Sequence, residues 1–303
     1  MKLPSPSSAE AVIAIAGLSR QFGVKTALDE VSVYVPRGSV LGLVGENGAG
    51  KTTLIKHLLG VLKAERGTVR VFGLDPVVDP VGVLSRIGYL SERRDLPGWM
   101  QVGEYLRYSQ AFYPGWDHAY AEKLLTQFHL DRRQLIKTLS QGQQAKTGLL
   151  CAIAYRPELL ILDEPSSGLD PVVRRDILEA IVQAVAQEGR TVIFSSHLLD
   201  EVERVADHII MLHAGRVVLN GRTDEVRQAH ISAVLSFETP RSTPPSLAGA
   251  YAVAGYGAEW RVLFGGSRLE LRKAADAVAA RVVEEKTPTL DEIMVARVGG
   301  KGS

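Results

Sequence analysis

Gly45, Gly50, Lys51 and Thr52 follow the order G-x-x-x-x-G-K-T, a spacing suited to capturing a polyphosphate. Glycines at 48 and 50 let the backbone curl until successive N–H groups point at the β- and γ-phosphates. The positive end of a following helix reinforces that attraction. Lys51 then bridges the two phosphates, and the Thr52 hydroxyl is an oxygen ligand for a hard ion such as Mg²⁺. About 110 residues later, Asp163-Glu164 ends the apolar run Leu159–Leu162, setting two carboxylates at the close of a strand. A carboxylate within hydrogen-bond reach of a water orients or deprotonates it for in-line attack on a phosphate. A glycine-rich turn or a solvated acidic turn explains either motif alone, but not both at this separation. The glycine spacing is not G-x-G-x-x-G, which excludes a dinucleotide fingerprint.

These groups need rigid elements behind them. Val40–Val44 reads as a buried strand running into the glycine loop, followed by a helix from Lys51 to about Leu59. Val12–Leu18 and Val31–Val35 read as earlier strands. Strands Leu159–Leu162 and Thr191–Ser195 flank a helix over Val172–Gln187, the βαβ order of a parallel sheet. From about Gly88 to Tyr155 the pattern turns helical, with apolar residues three and four apart in Val102–Phe112, in Ala119–Phe128 and after Ser140. Helix Leu198–Ala206 and a hairpin across Ala214-Gly215 close the unit. Beyond Gly221 the character changes: a Pro-rich break at Thr239–Pro245, short strand-like pieces, and a helix near Ala274–Glu285. The fold class expected is therefore α/β, with a mixed or parallel sheet and a helical subdomain at about 88–155. Residues 1–221 form the main domain and 222–303 a small C-terminal α+β accessory domain.

Composition narrows the function without naming it. With 46% hydrophobic residues, 23% charged residues and a net charge of +1, nothing draws the 303-residue chain towards nucleic acid or anionic lipid, and no nucleic-acid partner is expected. Cys151, the single cysteine, lies in an apolar run, reads as a small core residue and forms no disulfide within the chain. No uninterrupted apolar stretch reaches the ~18 residues of a spanning helix. Ala14-Ile15-Ala16 imitates a cleavage site, but the apolar run around it is short and reads as the first strand. Residues 1–9, rich in Pro and Ser, read as a disordered lead-in. His57, His118, His129, His208 and His213 read as structural or surface residues.

Between the phosphate loop and the carboxylates stands Leu139-Ser140-Gln141-Gly142-Gln143-Gln144, which resembles the LSGGQ signature of ATP-binding cassette (ABC) proteins, with Gln141 in place of its first glycine. On its own chemistry Ser140 is a helix cap with Gln143 at the capping-box position, so a helix with free N–H groups starts here. Apolar strand plus Asp163 resembles the family's Walker B element, in which the aspartate holds Mg²⁺ and Glu164 is the base or orienter of the attacking water. Ser167-Gly168-Leu169-Asp170 resembles its D-loop, and His197 its switch histidine at the γ-phosphate. Phe22 resembles the aromatic that stacks on adenine, with core packing as the competing reading. Where the family offers a glutamine, Gly88-Tyr89-Leu90-Ser91-Glu92 presents Glu92, a carboxylate able to face Mg²⁺ or water.

The resemblance covers about residues 11–221 and implies a phosphate-loop ATPase that uses ATP and Mg²⁺. It assigns nucleotide contacts to Phe22, Gly45, Asn47, Gly48, Ala49, Gly50, Lys51, Thr52 and Thr53. Ser140, Gly142, Gln143 and Asp170 then meet the nucleotide of a second cassette, a copy of this chain or a paralogue, in a head-to-tail dimer. Glu164, His197 and Glu92 are the expected catalytic residues; Thr52, Asp163 and Glu92 are the expected metal ligands.

One cassette without a long coiled-coil insertion resembles transport ATPases more than those acting on ribosomes or chromosomes. A separately encoded transmembrane permease is then the partner, which places the chain in the cytoplasm on the inner face of the membrane. Leu96–Met100 and Phe112–Trp116 supply aromatics where the family receives its permease, or else they are core. Thr287–Ile293 resembles the tail of bacterial exporter ATPases and is independently a capped helix start, with Thr289 as cap and Glu292 three residues later. A non-transport ABC ATPase that remodels a cytosolic complex is the alternative. A phosphate-loop kinase or GTPase is disfavoured by the signature-like segment and by the absence of a guanine-reading Asn-Lys-x-Asp.

Overall fold

The computed structural model describes residues 11–299, and the lead-in expected at residues 1–9 lies outside them. The chain divides into two compact units, Met1–Val217 and Val218–Ser303.

In the first unit, β1 (Ala11–Phe22) and β2 (Lys25–Pro36) form an antiparallel hairpin around the two-residue turn Gly23-Val24. Gly23 takes the left-handed φ of +58° that such a tight turn requires. β3 (Val40–Val44) leads through the glycine loop to α1 (Lys51–Leu58), and β4 (Arg66–Val71) pairs with the other edge of β1. Ile13, Ile15 and Leu18 of β1 are buried with Leu54, Ile55 and Leu58 of α1, so the three-stranded sheet and the first helix share one apolar core.

Along the chain follow α2 (Pro80–Leu84), β5 (Ile87–Leu90), α3 (Val102–Gln110), α4 (His118–Gln127), α5 (Gln141–Ile153) and β6 (Leu159–Leu162). Then come α6 (Pro171–Glu188), β7 (Thr191–Ser196), α7 (Leu199–Val205), β8 (His208–His213) and β9 (Arg216–Arg222). Six strands form one sheet in the order β5-β6-β7-β3-β8-β9, parallel from β5 to β8. β3, β6 and β7 are buried throughout, which is why they read as unbroken apolar runs rather than alternating ones.

In three places the structure departs from the sequence reading. Gly88–Leu90 is not the start of the helical region but part of β5, paired in register with Leu160–Leu162. A Cβ at Gly88 would stand 2.1 Å from the Ala152 carbonyl, and a four-residue strand is too short to show its period. β4 and α2 had no clear sequence signal, because Arg66–Val71 interleaves charged residues and a glycine with two buried valines.

The third departure concerns the second unit. α8 (Thr223–Gln228) precedes β10 (His230–Arg241), β11 (Ala250–Gly265), α9 (Arg268–Ala277), β12 (Ala280–Lys286) and α10 (Leu290–Gly299). The helix expected near Ala274–Glu285 ends at Ala277, and Ala280–Lys286 is a strand beside β10. Ser267 and Glu270 form a reciprocal capping box that starts α9 earlier, and Ala279 at φ +54° turns the chain out of it. The strands are also long rather than short, with Thr239–Arg241 at the end of β10. Ile231, Ala233, Leu235 and Phe237 alternate along β10 and pack with Trp260, Val262, Leu271 and Ala275 into a separate core.

Candidate active site

Sheet order assembles the site. β7 lies between β6 and β3, so the carboxyl ends of these three parallel strands bring together Asp163-Glu164, His197 and the glycine loop. Gly50 caps α1 at φ +113°, where a Cβ would meet the Ala27 carbonyl at 2.6 Å, so only glycine fits. Lys51 is buried. Its Nζ donates to the Gly45 carbonyl at 2.6 Å and stands 3.0 Å from Glu164 Oε1.

Glu164 is buried as well, at φ +47°, a backbone region that costs a non-glycine residue and that tends to mark working sites. His197 Nδ1 lies 2.7 Å from Glu164 Oε2, so the two carboxylate oxygens face one cationic and one imidazole partner. Ser195 fixes the pair from behind. Its hydroxyl donates to Asp163 Oδ1 at 2.7 Å and accepts the Glu164 N–H at 2.8 Å. Tyr89 reports the charge nearby: burial, with the carboxylates of Asp163 and Glu92, pushes its phenol up to about 12.

A cavity of about 380 Å³ opens over the loop, lined by Phe22, Asn47, Gly48, Gly50, Lys51, Thr52, Thr53, Glu92 and Glu164. Phe22 is 46% exposed, which favours a platform over a core residue. Gly45 and Ala49 are buried and Asp163 is almost fully so; none of the three is on the cavity wall. Sequence reasoning missed Lys25, Ala27 and Glu46, which complete the lining, and Ser195. The signal for Ser195 was its place two residues before His197 at the end of a buried strand.

Ser140, Gly142, Gln143 and Asp170 do not line this cavity. Ser140 Oγ accepts from the Gln143 N–H at 3.2 Å while Gln143 Oε1 accepts from the Ser140 N–H at 3.0 Å, so α5 is capped reciprocally. Asp170 Oδ1 caps α6 by accepting from Val172 and Val173, and a Cβ on Gly142 would meet Val173 at 2.9 Å. The two capped helix starts thus lie side by side. Arg94 ties the Glu92 segment to the same region, its Nη2 donating to the carbonyls of Pro165 and Ser167.

The remaining singled-out residues are structural or superficial in their surroundings. Cys151 is buried, and burial lifts its thiol to about 12. His57 is buried against the Thr53 carbonyl, and burial lowers its pKa. Among the described residues no helix is long and apolar enough to cross a membrane.

A largely parallel sheet whose strand ends carry a phosphate loop and paired carboxylates, with a capped helix between them in sequence, defines an ATPase of the ATP-binding cassette class. Residues 28–167 match the ABC transporter family. The chain is 36% identical over 234 residues to the daunorubicin/doxorubicin resistance ATP-binding protein DrrA of Streptomyces peucetius, covering 74% of this chain and 69% of the relative. It is 27% identical over 293 residues to the ABC transporter ATP-binding protein YtrB of Bacillus subtilis, covering 96% and 99%. A solved ATP-binding subunit of an ABC transporter superposes with a TM-score of 0.66 at 32% identity, covering 71% of this chain and 92% of that one. The chain belongs to the ABC transporter ATP-binding family and is an ATPase. Proteins of this family bind ATP and act with transmembrane partners.

Proposed function

We propose that this chain is the ATP-hydrolysing motor of an exporter whose membrane-spanning permease is a separate polypeptide, held at the cytoplasmic face of the membrane through that permease. Two cassettes, two copies of this chain or one with a paralogue, close head-to-tail over two ATP molecules. The observation that carries the reading is Glu164 fixed between Lys51 and His197 on the wall of a phosphate-loop cavity.

In this reading Phe22 stacks on the base while the loop N–H groups and Lys51 hold the β- and γ-phosphates. The donor set fits Mg²⁺, since Thr52, Glu92 and Asp163 offer only oxygens and the first two line the cavity. Such an ion, when bound, neutralises charge on the transferring phosphate. Glu164 takes the proton of the attacking water, and His197, hydrogen-bonded to it, keeps the carboxylate aimed and reaches the γ-phosphate. Ser140 and Asp170, both exposed beside paired helix starts, address the other cassette's nucleotide.

Three observations support export through a partner. The relative DrrA is named for drug resistance. The exporter-like tail is a capped helix, with Thr289 Oγ1 accepting from the Glu292 N–H and Glu292 Oε2 from the Thr289 N–H. A groove of about 320 Å³ lined by Tyr89, Tyr105, Tyr108, Phe112 and Tyr113 offers the permease an aromatic seat.

Ser140→Arg tests the closure. The variant is expected to bind ATP as a monomer with unchanged affinity and to lose both nucleotide-induced dimerisation and turnover, read by size-exclusion chromatography and phosphate release. Parental hydrolysis by Ser140→Arg would overturn the two-cassette site.

A further inference from the structure

The β1–β2 hairpin sets Phe22 directly opposite Lys25 across its turn. Both side chains are exposed, and both line the cavity above the glycine loop. A Cβ on Gly48 would stand 3.8 Å from Lys25 Nζ, so the ammonium hangs over the segment whose amides address phosphate. Among the described residues the Lys25 side chain has no hydrogen bond or ion pair, although Glu46, Glu92 and Glu164 line the same cavity. Lys51, by contrast, is already engaged by the Gly45 carbonyl and by Glu164.

We propose that Lys25 is a second polyphosphate-binding cation of this site, acting from the hairpin while Lys51 acts from the loop. The proposal rests on the reading that the cavity receives ATP, and it adds a residue to that site. An unpaired ammonium above a phosphate cradle, in a wall whose other charged groups are three carboxylates and the already engaged Lys51, gains an anionic partner when nucleotide enters. Lysine is a compact point charge on a flexible stem and reads no base edge. The ligands it favours are therefore nucleoside di- and triphosphates as a class, with the base left to Phe22. Its position beside Phe22 couples the two contacts: the hairpin that presents the ring also presents the charge.

Isothermal titration with ATP and with ADP on Lys25→Gln, Lys25→Arg and Lys51→Ala tests this. Lys25→Gln is expected to raise both dissociation constants about three- to tenfold at low ionic strength. The penalty is expected to shrink as salt rises from about 0.05 to 0.5 M, because the ammonium is exposed to screening. Lys25→Arg is expected to keep parental affinity, and melting temperature is expected to stay the same in both variants because the side chain is exposed. Parental affinity in Lys25→Gln at low salt, alongside lost binding in Lys51→Ala, would overturn the proposal and leave the site reading standing. A penalty independent of salt, or one that Lys25→Arg fails to relieve, would overturn it too, since charge would then not be the agent. Parental binding by Lys51→Ala would instead bring down the site reading itself.

Discussion

Lys51 Nζ stands 3.0 Å from Glu164 Oε1, and both side chains are buried. The residue assigned to the phosphates and the residue assigned to the water are thus ion-paired with each other. A γ-phosphate that takes Lys51 must compete with Glu164 for it, so part of the binding energy goes into separating this pair.

Glu164→Gln separates the two roles. The amide keeps an acceptor for Lys51 but loses the charge, so ATP binding is expected to tighten by about tenfold, ~1.4 kcal/mol, because less is given up when Lys51 changes partner. Turnover is expected to fall by about 10²–10⁴, the usual contribution of a positioned base. Equilibrium binding and single-turnover phosphate release measure the two effects separately. Weaker ATP binding in the variant would show that Glu164 helps to present Lys51 rather than competing for it.

Much of this site was legible in sequence because its elements are local. The glycine loop needs its strand before it and its helix after it, and both lie within about a dozen residues. Ser140 with Gln143 announces a capped helix by spacing alone, and the structure has that capping box. What escaped was set by long-range pairing. Lys25 reaches the cavity only because β1 and β2 pair in one register, and Ser195 matters only because β7 lies beside β6. In the second unit the run Ala274–Glu285 carries apolar residues at helical intervals, yet β12 pairs with β10 and that pairing outweighs the local pattern.

Glu201 is the next residue to test. On α7, almost fully buried, it accepts from Ser166 Oγ at 2.7 Å and Ser196 Oγ at 3.0 Å and lies 3.2 Å from Arg174 Nε. Ser166 lies two residues after Glu164, and Ser196 immediately precedes His197, so this carboxylate ties together the two segments that carry the Glu164–His197 pair. Glu201→Ala is expected to cost about 3 kcal/mol of stability by leaving the Ser166 hydroxyl and the Arg174 guanidinium without this carboxylate and Ser196 with its Leu198 backbone contacts alone. It is also expected to lower kcat more than ATP affinity, with Glu201→Gln recovering most of the loss. Denaturant unfolding and steady-state kinetics check the two parts, and a purely structural role would move stability while leaving kcat per folded molecule unchanged.

The second unit holds a titratable group that sequence reading passed over. His230 is buried at the start of β10, with Nδ1 2.6 Å from the Val226 carbonyl and Nε2 3.1 Å from Arg297 Nη2. Because a guanidinium only donates, Nε2 accepts, and the ring proton sits on Nδ1 facing the carbonyl. Arg297 also donates to Tyr251 Oη at 3.1 Å and lies over that ring, so one neutral imidazole helps hold α10 against β11. Burial, opposed by the Val226 hydrogen bond and joined by the Arg297 charge, lowers the His230 pKa below 6.5. The unfolded chain therefore binds this proton before the folded one does. The contribution is fully present above about pH 6.5 and is lost as pH falls through that value towards the lower folded pKa. Hydrogen exchange along β10 and β11, corrected for intrinsic rates, is expected to show protection falling between pH 7.5 and 5.5, a range chosen to bracket the ordinary histidine pKa of about 6.5. His230→Gln is expected to remove that pH dependence while lowering protection at pH 7.5. An equal slope in parent and variant would assign the acid sensitivity to other groups.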